Sequence, residues 1–136
     1  MSAPAPKQDY LLLFRGTDWD KGMSPEQSLK VVTEWYAWFE RLRLEGKCSG
    51  GAPLQPSGKI VSGKGRTVAD GPFAESKETI GGYFYLHVAD EAEAVAIAQL
   101  CPALEFGCVV EVRPVADMCG VMERASTTAE PAGATV

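Results

Sequence analysis

The chain has 136 residues, with 13 Lys and Arg against 18 Asp and Glu, so its net charge is −5 and its sequence pI about 4.9. That balance argues against non-specific binding to nucleic acid or to an anionic membrane surface, and no apolar run approaches the ~20 residues of a membrane span. Its length suits one domain around one core, and the start Met1-Ser2-Ala3-Pro4-Ala5-Pro6 lacks the basic flank and apolar stretch of a signal peptide, so a cytoplasmic location is expected.

Residues 1–8 are rich in Pro and Ala and read as a flexible N-terminus. Tyr10-Leu11-Leu12-Leu13-Phe14 is a short, nearly continuous apolar run, the mark of a central strand. Ser24-Pro25-Glu26-Gln27 then starts a helix: Ser24 caps, Pro25 suits the first helical position and Gln27 completes a capping box. The helix should end near Glu45, before Gly46. Leu29, Val31, Val32, Trp35, Tyr36, Trp38, Phe39 and Leu42 cover an arc of roughly 180° on it. So wide an arc either wraps deeply into the core or offers one edge to another subunit.

Gly46 to Leu54 reads as one strand. Lys59-Ile60-Val61 and Arg66-Thr67-Val68 read as the arms of a hairpin around Ser62-Gly63-Lys64-Gly65. This stretch nearly matches a P-loop, but Gly65 replaces the Ser or Thr that would meet Mg²⁺ and no helix follows. Thr79 to Val88 alternates as a strand. Asp90 and Glu93 start a second, Ala-rich helix over Glu91 to Cys101, which Pro102 ends. Phe106 to Arg113 is the last strand. Residues 9–115 therefore form the domain, and 116–136 read as a largely disordered tail, with too few apolar groups to fold.

The order strand, long helix, strand or hairpin, strand, helix, strand is the split βαβ, ferredoxin-like pattern of an α+β fold. An antiparallel sheet with both helices on one face leaves its other face bare. By alternation that face carries Leu11, Leu13, Arg15, Tyr83, Tyr85, His87, Val109, Glu111 and Arg113. A second subunit would cover so mixed a surface, and two facing sheets would enclose a small cavity. The expected partners are a second copy of the chain and a small-molecule ligand of unknown identity.

The stretch Asp70-Gly71-Pro72-Phe73-Ala74-Glu75-Ser76-Lys77-Glu78-Thr79-Ile80-Gly81-Gly82-Tyr83 resembles the signature of the DGPF branch of the YCII-related family. Gly51-Ala52-Pro53-Leu54-Gln55-Pro56, Asp90-Glu91-Ala92-Glu93-Ala94, Pro102 and Glu111-Val112-Arg113-Pro114 fit the same pattern. The resemblance implies a dimeric ferredoxin-like α+β barrel, a relation in fold to muconolactone isomerases, and in some members a His–Asp pair suspected of acid–base work. It also implies an association of many members with extracytoplasmic-function sigma factors. The chain departs from the pattern in having no His between the first strand and the first helix; its one His lies on the third strand.

Several side chains could carry chemistry. Asp70 is either a turn residue bonded to backbone amides or a carboxylate at the mouth of a pocket, acting as a base or ligand contact. Glu75 and Lys77 belong to a charged loop that either stays solvated or folds over a ligand. His87 is the one group whose ordinary pKa lies near neutrality, with Tyr83 and Tyr85 beside it as ligand contacts. Glu111 and Arg113 either meet a ligand or join Arg15 in an ion-pair network. Cys48, Cys101, Cys108 and Cys119 contain no C-x-x-C pair, so free thiols are expected rather than zinc, and no cofactor is expected. The open functions are thus a ligand-binding, regulatory protein, an isomerase- or lyase-type enzyme moving a proton with Asp70 or His87, and a protein-interaction module.

Overall fold

The computed structural model describes residues 8–71, 79–117 and 119–133. Its elements are β1 (Gln8–Arg15), α1 (Pro25–Leu44), β2 (Cys48–Pro53), β3 (Gly58–Ser62), β4 (Thr67–Gly71), β5 (Ile80–Val88), α2 (Glu91–Ala98), β6 (Val109–Pro114) and α3 (Gly120–Gly133). Four strands form an antiparallel sheet in the order β2-β5-β1-β6, and β3 and β4 form a separate two-stranded hairpin. Over the described residues the protein is therefore a mixed α/β structure with antiparallel sheets and three α-helices.

Period-two alternation sets the two faces of the large sheet. Tyr10, Leu12 and Phe14 of β1 and Phe84, Leu86 and Val88 of β5 are buried. They form one core with Val31, Trp38 and Leu42 of α1 and Ala94, Ile97 and Ala98 of α2. Phe14 and Phe84 meet edge to face at 4.9 Å, and Trp38 packs on Phe84 at the same separation. The opposite face pairs Asp9 with His87, Leu11 with Tyr85 and Leu13 with Tyr83 on one side of β1, and Leu11 with Arg113 and Leu13 with Glu111 on the other. These residues are the expected bare face, extended by one residue to Asp9.

Local signals explain the ends of α1. Ser24 Oγ accepts from the Gln27 amide at 3.2 Å, and the Gln27 side chain accepts from the Ser24 amide at 2.9 Å. The wide aromatic arc does not sink wholly into the core. Leu29 and Tyr36 are exposed, and Trp35 and Phe39 are only half-buried.

Three elements differ from expectation. The second helix stops at Ala98, because a turn and a short 3-10 segment, Leu104–Phe106, carry the chain to β6. Asp70 lies within β4 instead of a turn, paired across the hairpin with Lys59. The tail expected to lack order carries α3, whose Met122-Glu123-Arg124-Ala125 run supplies strong helix formers. The described side chains of its first half, Val121 and Met122 included, are exposed, so helix propensity rather than burial accounts for that half.

Candidate functional site

Two places on the sheet gather chemistry. The first is a cavity of about 580 Å³ at the end of the sheet where β1 runs out and β5 begins. Its walls are the loop Gly16–Lys21, the Trp35, Tyr36 and Phe39 edge of α1, the end of β2, and Ile80 to Phe84. The unexplained breadth of the helix arc has its account here: the half-exposed aromatic edge lines a cavity. Trp19 and Trp35 lie 6.1 Å apart at a tilt of 32°, and Trp35 meets Phe14 edge-on at 4.9 Å. Two turns hold the loop, Lys21 N–H to the Asp18 carbonyl at 3.0 Å and Met23 N–H to the Asp20 carbonyl at 3.1 Å. Its rim brings Asp18, Asp20, Lys21 and Arg15 to a mainly aromatic and aliphatic wall, the usual make-up of a small-molecule site.

The second place is a three-residue network on the bare face. His87 Nδ1 lies 2.7 Å from Asp9 Oδ1, and the Tyr85 hydroxyl donates to Asp9 Oδ2 at 3.0 Å. All three are half-buried. The bond to His87, and then that from Tyr85, hold the Asp9 carboxyl below the usual carboxylate range. The bond to Asp9, followed by burial, pushes the Tyr85 phenol up. A carboxylate on Nδ1 fixes a neutral imidazole as the Nδ1–H tautomer and leaves Nε2 as the acceptor. Asp9 and Arg15 are six residues apart on β1, so this network sits roughly 20 Å from the cavity end of the same strand.

Of the residues singled out from the sequence, Tyr83 lines the cavity, and Tyr85 and His87 belong to the network. Glu111 bridges Arg15 at 3.5 Å and Arg113 at 3.0 Å. Asp70 is elsewhere: its side chain is 87% exposed and bonds Lys59 on the hairpin. Glu75 and Lys77 lie outside the described residues. Sequence reading missed Asp9, because the apolar run that announces β1 begins one residue later. It also missed Trp19, an isolated aromatic in a polar loop.

Among the described residues no three His, Cys, Asp or Glu side chains gather as metal ligands, and no described helix is long and apolar enough to cross a membrane. The model of the YCII-related domain matches residues 10–118. The chain belongs to the YCII-related family. A search of the curated proteins finds no match. Among solved structures, a hypothetical protein of Arabidopsis thaliana known from its solution structure is 18% identical, with 88% of this chain and 96% of that one covered at a TM-score of 0.34.

Proposed function

We propose that this YCII-related protein binds a small, largely apolar aromatic molecule in the cavity at the β1–α1 end of the sheet. The observation that carries the reading is the cavity itself. Its volume of about 580 Å³ falls within the range of drug-sized ligand sites, and Trp19, Trp35 and Tyr36 offer ring faces and edges at its wall. The charged rim would orient a polar substituent toward Arg15 or Lys21.

The strand order β2-β5-β1-β6 supports the ferredoxin-like reading of the fold, and the Asp70–Glu78 stretch supports a place in the DGPF branch. The half-buried Leu11 and Leu13, set among Tyr83, Tyr85 and the Arg15–Glu111–Arg113 ion pairs, support a second copy packed on the bare face. Sedimentation at micromolar concentration showing monomer alone would remove that part of the proposal.

The binding test uses 8-anilinonaphthalene-1-sulfonate, an apolar aromatic anion. Its emission should rise saturably with one site per chain, and Ala52→Trp, which fills the cavity wall, should abolish the rise while leaving the fold intact. No saturable signal, or a signal untouched by Ala52→Trp, rejects the cavity as the site.

A second reading has its own observation, the Tyr85–Asp9–His87 network. A held imidazole with a free Nε2 is equipped for general base work. Heteronuclear NMR of the His87 ring checks it: the neutral ring should carry its proton on Nδ1, and a dominant Nε2–H form rejects the reading.

A further inference from the structure

The β3–β4 hairpin has no role in either reading, and its own chain leaves it bare. Every residue of its two strands but Gly71 is exposed, and a two-stranded hairpin without a further layer is marginally stable in water at best. Its register sets Val61 opposite Val68 and Lys59 opposite Asp70 on one face. Val61 and Val68 are 64% and 61% exposed, so an apolar cross-strand pair stands open to solvent. Lys59 is bonded to Asp70, and Lys64 and Arg66 stand exposed at the turn. Arg66 has a φ of 55°, in the left-handed region. Glycine would adopt that conformation freely, so what arginine adds there is its guanidinium. The hairpin thus presents three cations against one carboxylate, in a chain whose net charge is −5.

A matching surface lies at the cavity mouth. Leu29, Val32 and Tyr36 recur at helical spacing on one side of α1. Val32 and Tyr36 reach the cavity wall, while Leu29 and Tyr36 are 66% and 64% exposed. Asp18 and Asp20, exposed on the loop that shares this wall, border the strip with carboxylates. Lys21 reaches Asp18 at 3.9 Å with both side chains mostly exposed, too loosely to cancel its charge. We propose that the hairpin is a dimer arm, which lays Val61 and Val68 on the Leu29–Val32–Tyr36 strip of a second copy and sets Lys64 and Arg66 against that copy's Asp18 and Asp20. An apolar face tipped with cations fits an apolar strip bordered by carboxylates, and such complementarity also fixes register. The hairpin rises just past Pro56, itself in the cavity wall, yet stays exposed, so its own strip is not what covers it. Five residues of strand reach roughly 17 Å, enough to lie along two turns of a helix. Each cavity mouth is then completed by the partner's arm. This contact is separate from packing on the bare face, and it does not depend on what the cavity holds.

Sedimentation of the full-length chain tests it with two charge-reversed variants, Lys64→Glu/Arg66→Glu on the arm and Asp18→Lys/Asp20→Lys on the rim. The parent should dimerise at micromolar concentration. Each variant alone should dimerise about tenfold or more weakly, because two attractive pairs per arm become repulsive. An equimolar mixture of the two variants should recover the parent's affinity, since in the mixed dimer every arm meets a rim of opposite charge. That recovery requires arm and rim on different chains. A monomeric parent overturns the proposal. A variant that dimerises like the parent also overturns it and leaves the bare-face packing standing. A mixture no tighter than its components overturns it too, the result expected if the hairpin closes over its own chain or meets another protein. Circular dichroism checks that each variant folds. Where a charge variant does not, Val68→Glu decides: its side chain is exposed in the single chain, so it should fold and weaken the dimer about tenfold or more, and a dimer as tight as the parent's overturns the proposal. Binding of 8-anilinonaphthalene-1-sulfonate is read apart from all of this, so the ligand site stands or falls on its own test.

Discussion

Gly16 and Gly22 bracket the loop that walls the cavity, and both have positive φ, 74° and 82°. Their surroundings differ. A Cβ on Gly22 meets nothing within 4 Å, whereas one on Gly16 would lie 2.7 Å from the Gly107 carbonyl oxygen and 3.4 Å from Cys108 Cα. Alanine at either site costs roughly 1–2 kcal/mol for the left-handed backbone, offset by about 0.4–1 kcal/mol because the unfolded chain loses freedom. Gly22→Ala should therefore destabilise by about 0.5–1 kcal/mol. Gly16→Ala adds a collision with backbone, which cannot rotate aside, and overpacking of this kind costs about 1–3 kcal/mol more. Unfolding entropy of roughly 2.1 cal/mol/K per residue gives about 0.29 kcal/mol/K for a chain of this length. Gly16→Ala should then melt about 3–10 °C below Gly22→Ala. The assay is thermal unfolding followed by tryptophan emission, with a urea series to confirm an unchanged m-value. Equal melting temperatures for the two variants, or a lower one for Gly22→Ala, would refute the contact between this loop and the approach to β6.

Tyr85 and Asp9 test each other. Asp9→Asn removes the carboxylate that pushes the Tyr85 phenol up, so phenolate absorbance in the variant should appear at lower pH than in the parent protein; an unmoved titration would contradict the hydrogen bond. The sign for acid stability follows from the depressed Asp9 carboxyl. Its contribution is present above the unfolded value of 3.8 and is lost as pH falls through the lower folded value. The stability difference between parent and Asp9→Asn should therefore shrink as pH drops below that value. In the core, Leu86 is fully buried, between Tyr10 of β1 and Cys48 of β2, and Leu86→Ala should cost about 2–5 kcal/mol in urea unfolding. Leu44→Ala, at a side chain 73% exposed, should stay within about 0.5 kcal/mol. Ser24→Ala should cost about 1 kcal/mol through loss of the capping box at α1.

The elements most legible in the sequence are those whose signals are local. The Ser24–Gln27 box and the alternation of Gly82, Phe84, Leu86 and Val88 act within a few residues, and both appear where the sequence puts them. The hairpin was legible for the same reason, with Gly63 at positive φ and the Arg66 amide bonded to the Gly63 carbonyl at 3.0 Å. What depends on register was not legible. His87 and Tyr85 are on the same face by alternation alone, but only the pairing of β1 with β5 places Asp9 opposite His87. Nothing in the string Gln8-Asp9-Tyr10 carries that pairing. The cavity was half legible: the aromatic arc of α1 is too wide for simple packing, but no local pattern announces the loop that stands across from it. Asp70 shows the opposite error. Asp-Gly-Pro is strong local turn chemistry, yet strand pairing with Lys59 on β3 keeps Asp70 in β4.

The two chemically distinctive places share one strand but not one environment, and this constrains what a single mechanism can use. Asp9 and Arg15 lie on the same face of β1, at its two ends. Between them stand Leu11 and Leu13, flanked by Tyr85, Tyr83, Arg113 and Glu111. A ligand of cavity size cannot span roughly 20 Å, so a molecule held against Trp19 and Trp35 does not touch His87 of the same chain. A reaction using both would need the two ends brought together by something other than one subunit's own sheet. A second copy packed across the bare face in antiparallel orientation would do this, by setting one chain's Asp9–His87 pair against its partner's Arg15 end. Without such packing, ligand binding and proton transfer are separate properties of separate ends. Substitutions at Asp9 and at Ala52 should then act additively, as expected for sites with no shared contacts.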